Sequence, residues 1–140
     1  MISSTKGRYA LRVMIDLAQR ESDEYVPLQE IAEKQGISTG YVNGILKLLV
    51  EHDKLLSLRG KGGGYKLMDK PENYSVGEIL RIVEGNLAPV QCVLPTEACE
   101  RCGECHSMPM WKKLDKMIND FFDGISLQDL LDDNIDEEKK

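Results

Sequence analysis

No run of about 18 apolar residues occurs in the 140-residue chain, so no transmembrane helix is expected. The opening Met1-Ile2-Ser3-Ser4-Thr5-Lys6-Gly7-Arg8 carries no apolar h-region, so no signal peptide is expected. Both absences point to the cytoplasm, where free thiols stay reduced. Histidine is scarce: His52 and His106 are the only two, and neither has triad-like neighbours in the sequence. That makes an enzyme the weakest function class. Excess positive charge is lacking as well, since the net charge is −6, although 41% hydrophobic residues suffice for an ordinary core. The charge is unevenly spread. Residues 1–70 hold 11 Lys+Arg against 9 Asp+Glu, whereas residues 71–140 hold 7 against 15. The acidity gathers in Asp129, Asp132, Asp133, Asp136, Glu137 and Glu138, which read as a solvated end. Phosphate binding by the N-terminal half is therefore not excluded, because it needs a local basic patch rather than a basic whole.

Cysteine is absent from most of the chain and then crowded. Cys92, Cys99, Cys102 and Cys105 stand with gaps of six, two and two residues, and His106 follows directly. With nothing else suggesting a secreted disulfide protein, a soft-metal or iron–sulfur site is the better reading.

The N-terminal half has helical periodicity over residues 7–20, with Tyr9, Val13 and Leu17 on one row and Ala10, Met14 and Ala18 beside it. Pro27 marks a second helix start with Leu28, Ile31 and Ala32 as its stripe, and Gly36 breaks that helix. Ser38 is an N-cap candidate for a third helix with Tyr41, Val42, Ile45, Leu46 and Leu49. Two short helices around a tight glycine turn form a helix-turn-helix. Leu55–Leu58 and Tyr65–Met68 read as strands flanking the basic, glycine-rich turn from Arg59 through Lys61 to Gly64. A helix-turn-helix followed by such a hairpin is a winged helix. A phosphate-binding P-loop would need Gly-Lys-Ser/Thr opening a helix, and a tyrosine strand follows here instead.

Residues 71–74 read as a linker. Ser75 and Glu78 have capping-box spacing ahead of Val76, Ile79, Leu80 and Val83, and this helix ends near Gly85. Residues 86–106 lack periodicity and read as a loop, which in a small domain calls for something to organise it. Helical spacing returns over 107–122 with Trp111, Leu114, Met117, Ile118, Phe121 and Phe122, a stripe too broad to leave in water. A short helix from Ser126 to Leu131 precedes the tail. The expected class is mainly α with a small β-wing: a winged helix-turn-helix domain plus a long C-terminal dimerisation helix. The expected division is DNA-binding domain 1–85, cysteine-rich loop 86–106, dimerisation and short terminal helices 107–132, and acidic tail 133–140.

Thr5-Lys6-Gly7-Arg8-Tyr9-Ala10-Leu11-Arg12 resembles the opening of the Rrf-type winged-helix regulators of bacteria, a family that includes iron–sulfur, nitric-oxide and cysteine-metabolism regulators. The strip Arg59-Gly60-Lys61-Gly62-Gly63-Gly64-Tyr65-Lys66-Leu67 is similar to the family's wing signature, and Ser38-Thr39-Gly40-Tyr41 to the start of its recognition helix. Ser75-Val76-Gly77-Glu78-Ile79 and Glu84-Gly85 also fit. The resemblance covers roughly residues 1–125. It implies a homodimer on a double-stranded, partly palindromic operator. Ser38, Thr39, Tyr41, Asn43 and Lys47 would lie on or near the recognition helix, with Arg59 and Lys61 on the wing and Arg59 reaching into a minor groove.

The resemblance also implies that Cys92, Cys99 and Cys105 hold a cluster, with Trp111 just downstream. The family's usual fourth ligands are missing, since Met108 and Arg8 stand at their positions. Cys102 is the strongest candidate in their place, because three-residue steps resemble ferredoxin-type thiolate runs, and His106 is the runner-up. Either a 2Fe–2S or a 4Fe–4S cluster is possible, and zinc or a metal-free thiol switch remain alternatives. The expected function is a DNA-binding transcription regulator, in the sense of a repressor, gated by the cluster. The alternative is a cofactor-free regulator of cysteine metabolism controlled by a partner enzyme or thiol oxidation.

Overall fold

A computed structural model describes residues 4–20, 23–90, 93–94 and 105–135. Helix α1 (Thr5–Gln19) buries Ala10, Val13, Met14 and Leu17, the two rows expected from its periodicity. Helix α2 (Leu28–Gln35) follows Pro27 and buries Ile31 and Ala32. Its end is set by Gly36, whose φ of +67° is accessible to glycine at little cost. The Gly36 amide donates to the Glu33 carbonyl at 3.2 Å and the Ile37 amide to the Ala32 carbonyl at 3.1 Å. This pair of bonds is a Schellman-type stop, and it turns the chain directly into α3 (Thr39–Glu51). Helix α3 buries Val42, Ile45, Leu46 and Leu49 against the other two.

Strands β1 (Leu55–Leu58) and β2 (Gly64–Leu67) form an antiparallel hairpin with Leu55 opposite Leu67 and Leu58 opposite Gly64. The return strand starts one residue earlier than expected. A short contact not visible in the sequence joins it: the Val26 amide donates to the Tyr65 carbonyl at 2.8 Å and the Tyr65 amide to the Val26 carbonyl at 2.9 Å. The approach explains the glycine at 64. A Cβ there would lie 2.1 Å from the Val26 carbonyl oxygen.

The linker reading of residues 71–74 is corrected. Pro71–Asn73 is a 3₁₀ turn, and Tyr74 is buried, with its hydroxyl donating to the Lys54 carbonyl at 2.7 Å. The same oxygen accepts from the amides of Met68 and Asp69 at 2.9 and 3.1 Å. One side chain thus ties the wing's base to the end of α3. Helix α4 (Val76–Glu84) has the expected capping box between Ser75 and Glu78 and buries Val76, Ile79, Leu80 and Val83. Leu87 leaves it into a second core cluster with Val76, Leu80 and Ile125, against which Ile118 and Phe122 pack.

Helix α5 (Met108–Asp123) and helix α6 (Leu127–Leu131) complete the described chain. Asp129, read as part of a solvated acidic end, instead closes a capping box with Ser126. The C-terminal half of α5 is fastened to α4. Arg81 donates to Asn119 Oδ1 at 3.1 Å and pairs with Asp123, and a Cβ on Gly77 would fall 2.1 Å from Asp123 Oδ1. Among the described residues no helix is long and apolar enough to cross a membrane.

Candidate nucleic-acid interface and cysteine site

Helix α3 begins at Ser38, whose hydroxyl accepts from the Tyr41 amide at 3.3 Å and satisfies one of the helix's orphan donors. Thr39, Gly40, Tyr41, Gly44 and Lys47 are exposed. Tyr41 was placed in the buried stripe by its spacing, yet it is 41% exposed, because its ring turns outward onto α1. Asn43 is half-buried, and its Oδ1 accepts from the Tyr65 hydroxyl at 3.3 Å, which links the third helix to the wing. Arg59 and Lys61 are both exposed on the hairpin turn, where Gly60 and Gly62 take φ values of +90° and +77°.

The charges separate into two groups. Lys34 and Arg20 pair with Asp16, Lys54 with Glu78, and Lys66 with Asp23. Lys47, Arg59 and Lys61 have no ion-pair partner among the described residues. An outward helix face and a wing with uncommitted cations suit a polyanion.

On α1 the sequence marked Tyr9 only as part of an apolar row and of the opening motif, and Arg12 only as part of that motif. The Arg12 guanidinium lies over the Tyr9 ring, 5.4 Å from its centroid, and donates to Gln35 at the end of α2. Tyr9 in turn meets Tyr41 edge-on at 5.6 Å. The apolar spacing of α1 offered no sign of this, since Arg12 lies off the buried stripe.

Of the four cysteines, Cys92, Cys99 and Cys102 lie outside the described residues. Cys105 is half-buried just ahead of α5, with its Sγ 3.0 Å from the Ser107 hydroxyl. The Ser107 hydroxyl and the Ser107 amide hold the Cys105 thiol below its ordinary pKa, against a weaker opposing effect of burial. A thiol biased toward thiolate fits a soft-metal ligand. His106 is exposed beside it. Among the described residues no three His, Cys, Asp or Glu side chains converge on a metal position. Of the donor set expected from the sequence, Cys105 and the adjacent His106 lie among the described residues.

On α5 the side chains of Met110, Met117 and Phe121 are 56–58% exposed, and Leu114 lies between them at 36%. Their steps of four, three and four residues make one continuous apolar stripe on the outer face of the helix.

The family model of Rrf2, described as an iron-dependent transcriptional regulator, matches residues 3–133. The HTH-type transcriptional regulator IscR of Aliivibrio salmonicida is 37% identical over 131 residues, which is 94% of this chain and 77% of that protein. Among solved structures, IscR of T. potens superposes with a TM-score of 0.73 at 33% identity, covering 95% of this chain and 88% of its own. The oxidized form of Staphylococcus aureus CymR superposes with a TM-score of 0.71 at 31% identity, covering 93% and 95%. The outward third helix, the hairpin wing and this near-complete match agree, and the chain belongs to the Rrf2 family of DNA-binding transcriptional regulators.

Proposed function

We propose that the chain is an operator-binding regulator, in the sense of a repressor, whose DNA affinity is set by an iron–sulfur cluster held by Cys92, Cys99, Cys102 and Cys105. The observation that carries this reading is where the residues flanking the cysteine segment lie: Leu87 is buried in the second core cluster, and Cys105 stands directly ahead of α5. Along the chain the segment joins the DNA-reading body, residues 1–85, to the helix that bears the exposed apolar stripe. That stripe is the contact of a homodimer in this proposal, because a helix-turn-helix reads paired half-sites as a dimer.

The chain's own residues then have separate tasks. Ser38 caps the recognition helix, and Thr39, Tyr41, Asn43 and Lys47 face the major groove. Arg59 enters a minor groove and Lys61 contacts phosphate from the wing. Ser107 holds the Cys105 thiol below its ordinary pKa, and His106 is the substitute ligand should Cys102 not serve. When bound, a 2Fe–2S or 4Fe–4S cluster supplies a cross-link that oxidants, nitric oxide or iron scarcity removes. The relatives named IscR and the family's iron-dependent description support iron over redox-inert zinc.

A second reading has one specific support. A structural neighbour is described as an oxidized form of CymR, and the lowered thiol pKa of Cys105 suits direct thiol oxidation without a metal. Anaerobic purification separates the readings. Brown protein with stoichiometric iron and sulfide, lost on Cys92→Ala, Cys99→Ala or Cys105→Ala, is expected. Stoichiometric zinc, or colourless protein whose operator binding responds to a disulfide reductant, overturns the cluster proposal.

A further inference from the structure

The second and third helices of a helix-turn-helix must hold a fixed angle if the third is to keep its register in a groove. In this chain the joint between them is short. Gly36 and Ile37 close the end of α2, and Ser38 already caps α3. A helix end leaves several carbonyls without partners inside the helix. The Gln35 carbonyl is one of these, and it is not left to solvent. Arg12 Nη2 donates to it at 2.8 Å, while Arg12 Nε donates to the Gln35 side-chain oxygen at 3.1 Å. The first helix therefore grips the turn through a two-pronged guanidinium contact, for which the fork of arginine is suited and the point charge of lysine is not.

The same guanidinium covers Tyr9 at 5.4 Å, inside the range of a cation–π contact. Tyr9 is half-buried, and its ring meets Tyr41 at 5.6 Å with the planes 81° apart, an edge-to-face pair. Tyr41 stands in the first turn of α3, and its amide is the donor that Ser38 accepts. Arg12, Tyr9 and Tyr41 thus form an unbroken chain of contacts from the turn to the first turn of the third helix. Arginines that serve only to bind phosphate point their donors outward. Arg12 is exposed, yet it directs two donors and its planar face back onto the protein.

The geometry points to Arg12 and Tyr9 as positioning residues that fix the entry angle of α3 and the outward pose of Tyr41, and so set sequence discrimination rather than bulk DNA affinity. This rests on α3 being the helix that reads DNA. It assigns no direct DNA contact to Arg12 or Tyr9, and their loss leaves the phosphate-facing cations in place.

The test uses the full-length dimer and two duplexes: one recovered by the wild type from a randomised pool, and poly(dI-dC) as the non-specific competitor. Arg12→Lys keeps the charge and loses the fork; Tyr9→Leu loses the ring; Tyr9→Phe keeps it. Arg12→Lys and Tyr9→Leu are expected to lower the ratio of selected to non-specific affinity by about tenfold, the order set by one aromatic or cation–π contact. Non-specific affinity and the salt slope should hold, and Tyr9→Phe should restore the wild-type ratio. Equal losses on the selected and the non-specific duplex would make Arg12 a phosphate contact and overturn the inference. So would Arg12→Lys matching the wild type, or Tyr9→Phe matching Tyr9→Leu. Circular dichroism and melting of the DNA-free variants guard against misfolding, and a ratio that recovers when melting is compensated by stabilising osmolyte also overturns the inference. A wild type that selects no sequence sinks the reading of α3 and this inference with it.

Discussion

Replacing Gly44 by alanine should stabilise this protein and weaken its hold on DNA. Gly44 lies in the middle of α3, not at its end, and it has no positive φ that would call for glycine. An added Cβ would meet nothing within 4 Å. The chain's own packing therefore offers no reason for glycine, while helix propensity disfavours it by about 0.8–1.0 kcal/mol relative to alanine. Gly44→Ala should raise the DNA-free stability by about that amount, and the melting temperature by about 3–4 °C for a chain of this size. The exposed face around it, with Gly40, Tyr41 and Lys47, is the one assigned to the groove. A methyl group pressed into a close-fitting contact costs about 1–3 kcal/mol, so operator affinity should fall by about 5- to 150-fold. Thermal unfolding without DNA and fluorescence anisotropy on the selected duplex measure the two effects separately. Higher stability with unchanged affinity would place Gly44 outside the interface, and lower stability would refute the helix argument itself. Gly36→Ala is the internal control. Space is open there too, but the φ of +67° makes alanine strained, so that variant should lose stability.

Three further outcomes are expected. Burial pushes the Glu84 carboxyl up, but donors from the Ser4 hydroxyl and the amides of Ser4 and Gly7 outweigh it and hold its pKa below the usual value. A depressed carboxylate stabilises the fold above its unfolded-state pKa and loses that contribution as pH falls toward the folded value, so Glu84→Gln should cost about 1 kcal/mol at neutral pH and flatten acid unfolding measured by circular dichroism. Arg59→Ala should cost about 1–3 kcal/mol on the selected operator with relaxed specificity, whereas Lys61→Ala should weaken all duplexes evenly and lower the salt slope by about one; equal losses from both would reduce the wing to an electrostatic anchor. Met117→Glu, a charge in the middle of the α5 stripe, should yield monomers by analytical ultracentrifugation with the melting curve little changed, and a persistent dimer would locate the interface elsewhere.

The elements with strong local signals were legible. The Ser75–Glu78 capping box, the Gly36 stop and the alternation of turn and strand around Arg59–Gly64 are each written within a few residues, and the structure has all three. What escaped is what depends on distant partners. Tyr74 follows Pro-Glu-Asn and reads as linker, yet its hydroxyl accepts from two nearby amides and donates to a carbonyl 20 residues away. Glu84 sits at a helix end by local pattern, while its carboxylate caps a helix 77–80 positions earlier. Val26 lies between charged and proline-bearing segments that carry no strand periodicity, so its bridge to Tyr65 needed the fold. The proposed cysteine site rests on spacing and residue type, and of its four thiols Cys105 lies among the described residues.

Charge shows why a chain of net −6 can still present a DNA face. The N-terminal 70 residues are nearly neutral by count, but the count treats every cation alike. Asp16 is 1% exposed and pairs with both Arg20 and Lys34, and Arg20 also pairs with Glu30, so two carboxylates offset these two cations and the Asp16–Lys34 pair staples α1 to α2. Lys54 is spent on Glu78 and Lys66 on Asp23, at the base of the wing rather than its tip. The cations left uncommitted by such pairing include Lys47 on the outward face of α3 and Arg59 and Lys61 on the hairpin turn. Exposed carboxylates such as Asp120 and Asp132 belong to α5 and the C-terminal end. Screening confines each charge to within about 8 Å at physiological salt, so distant acids subtract little from the potential at the wing. The local patch rather than the chain's net charge governs phosphate binding, and the acidic C-terminal half bears on solubility and on partners other than DNA.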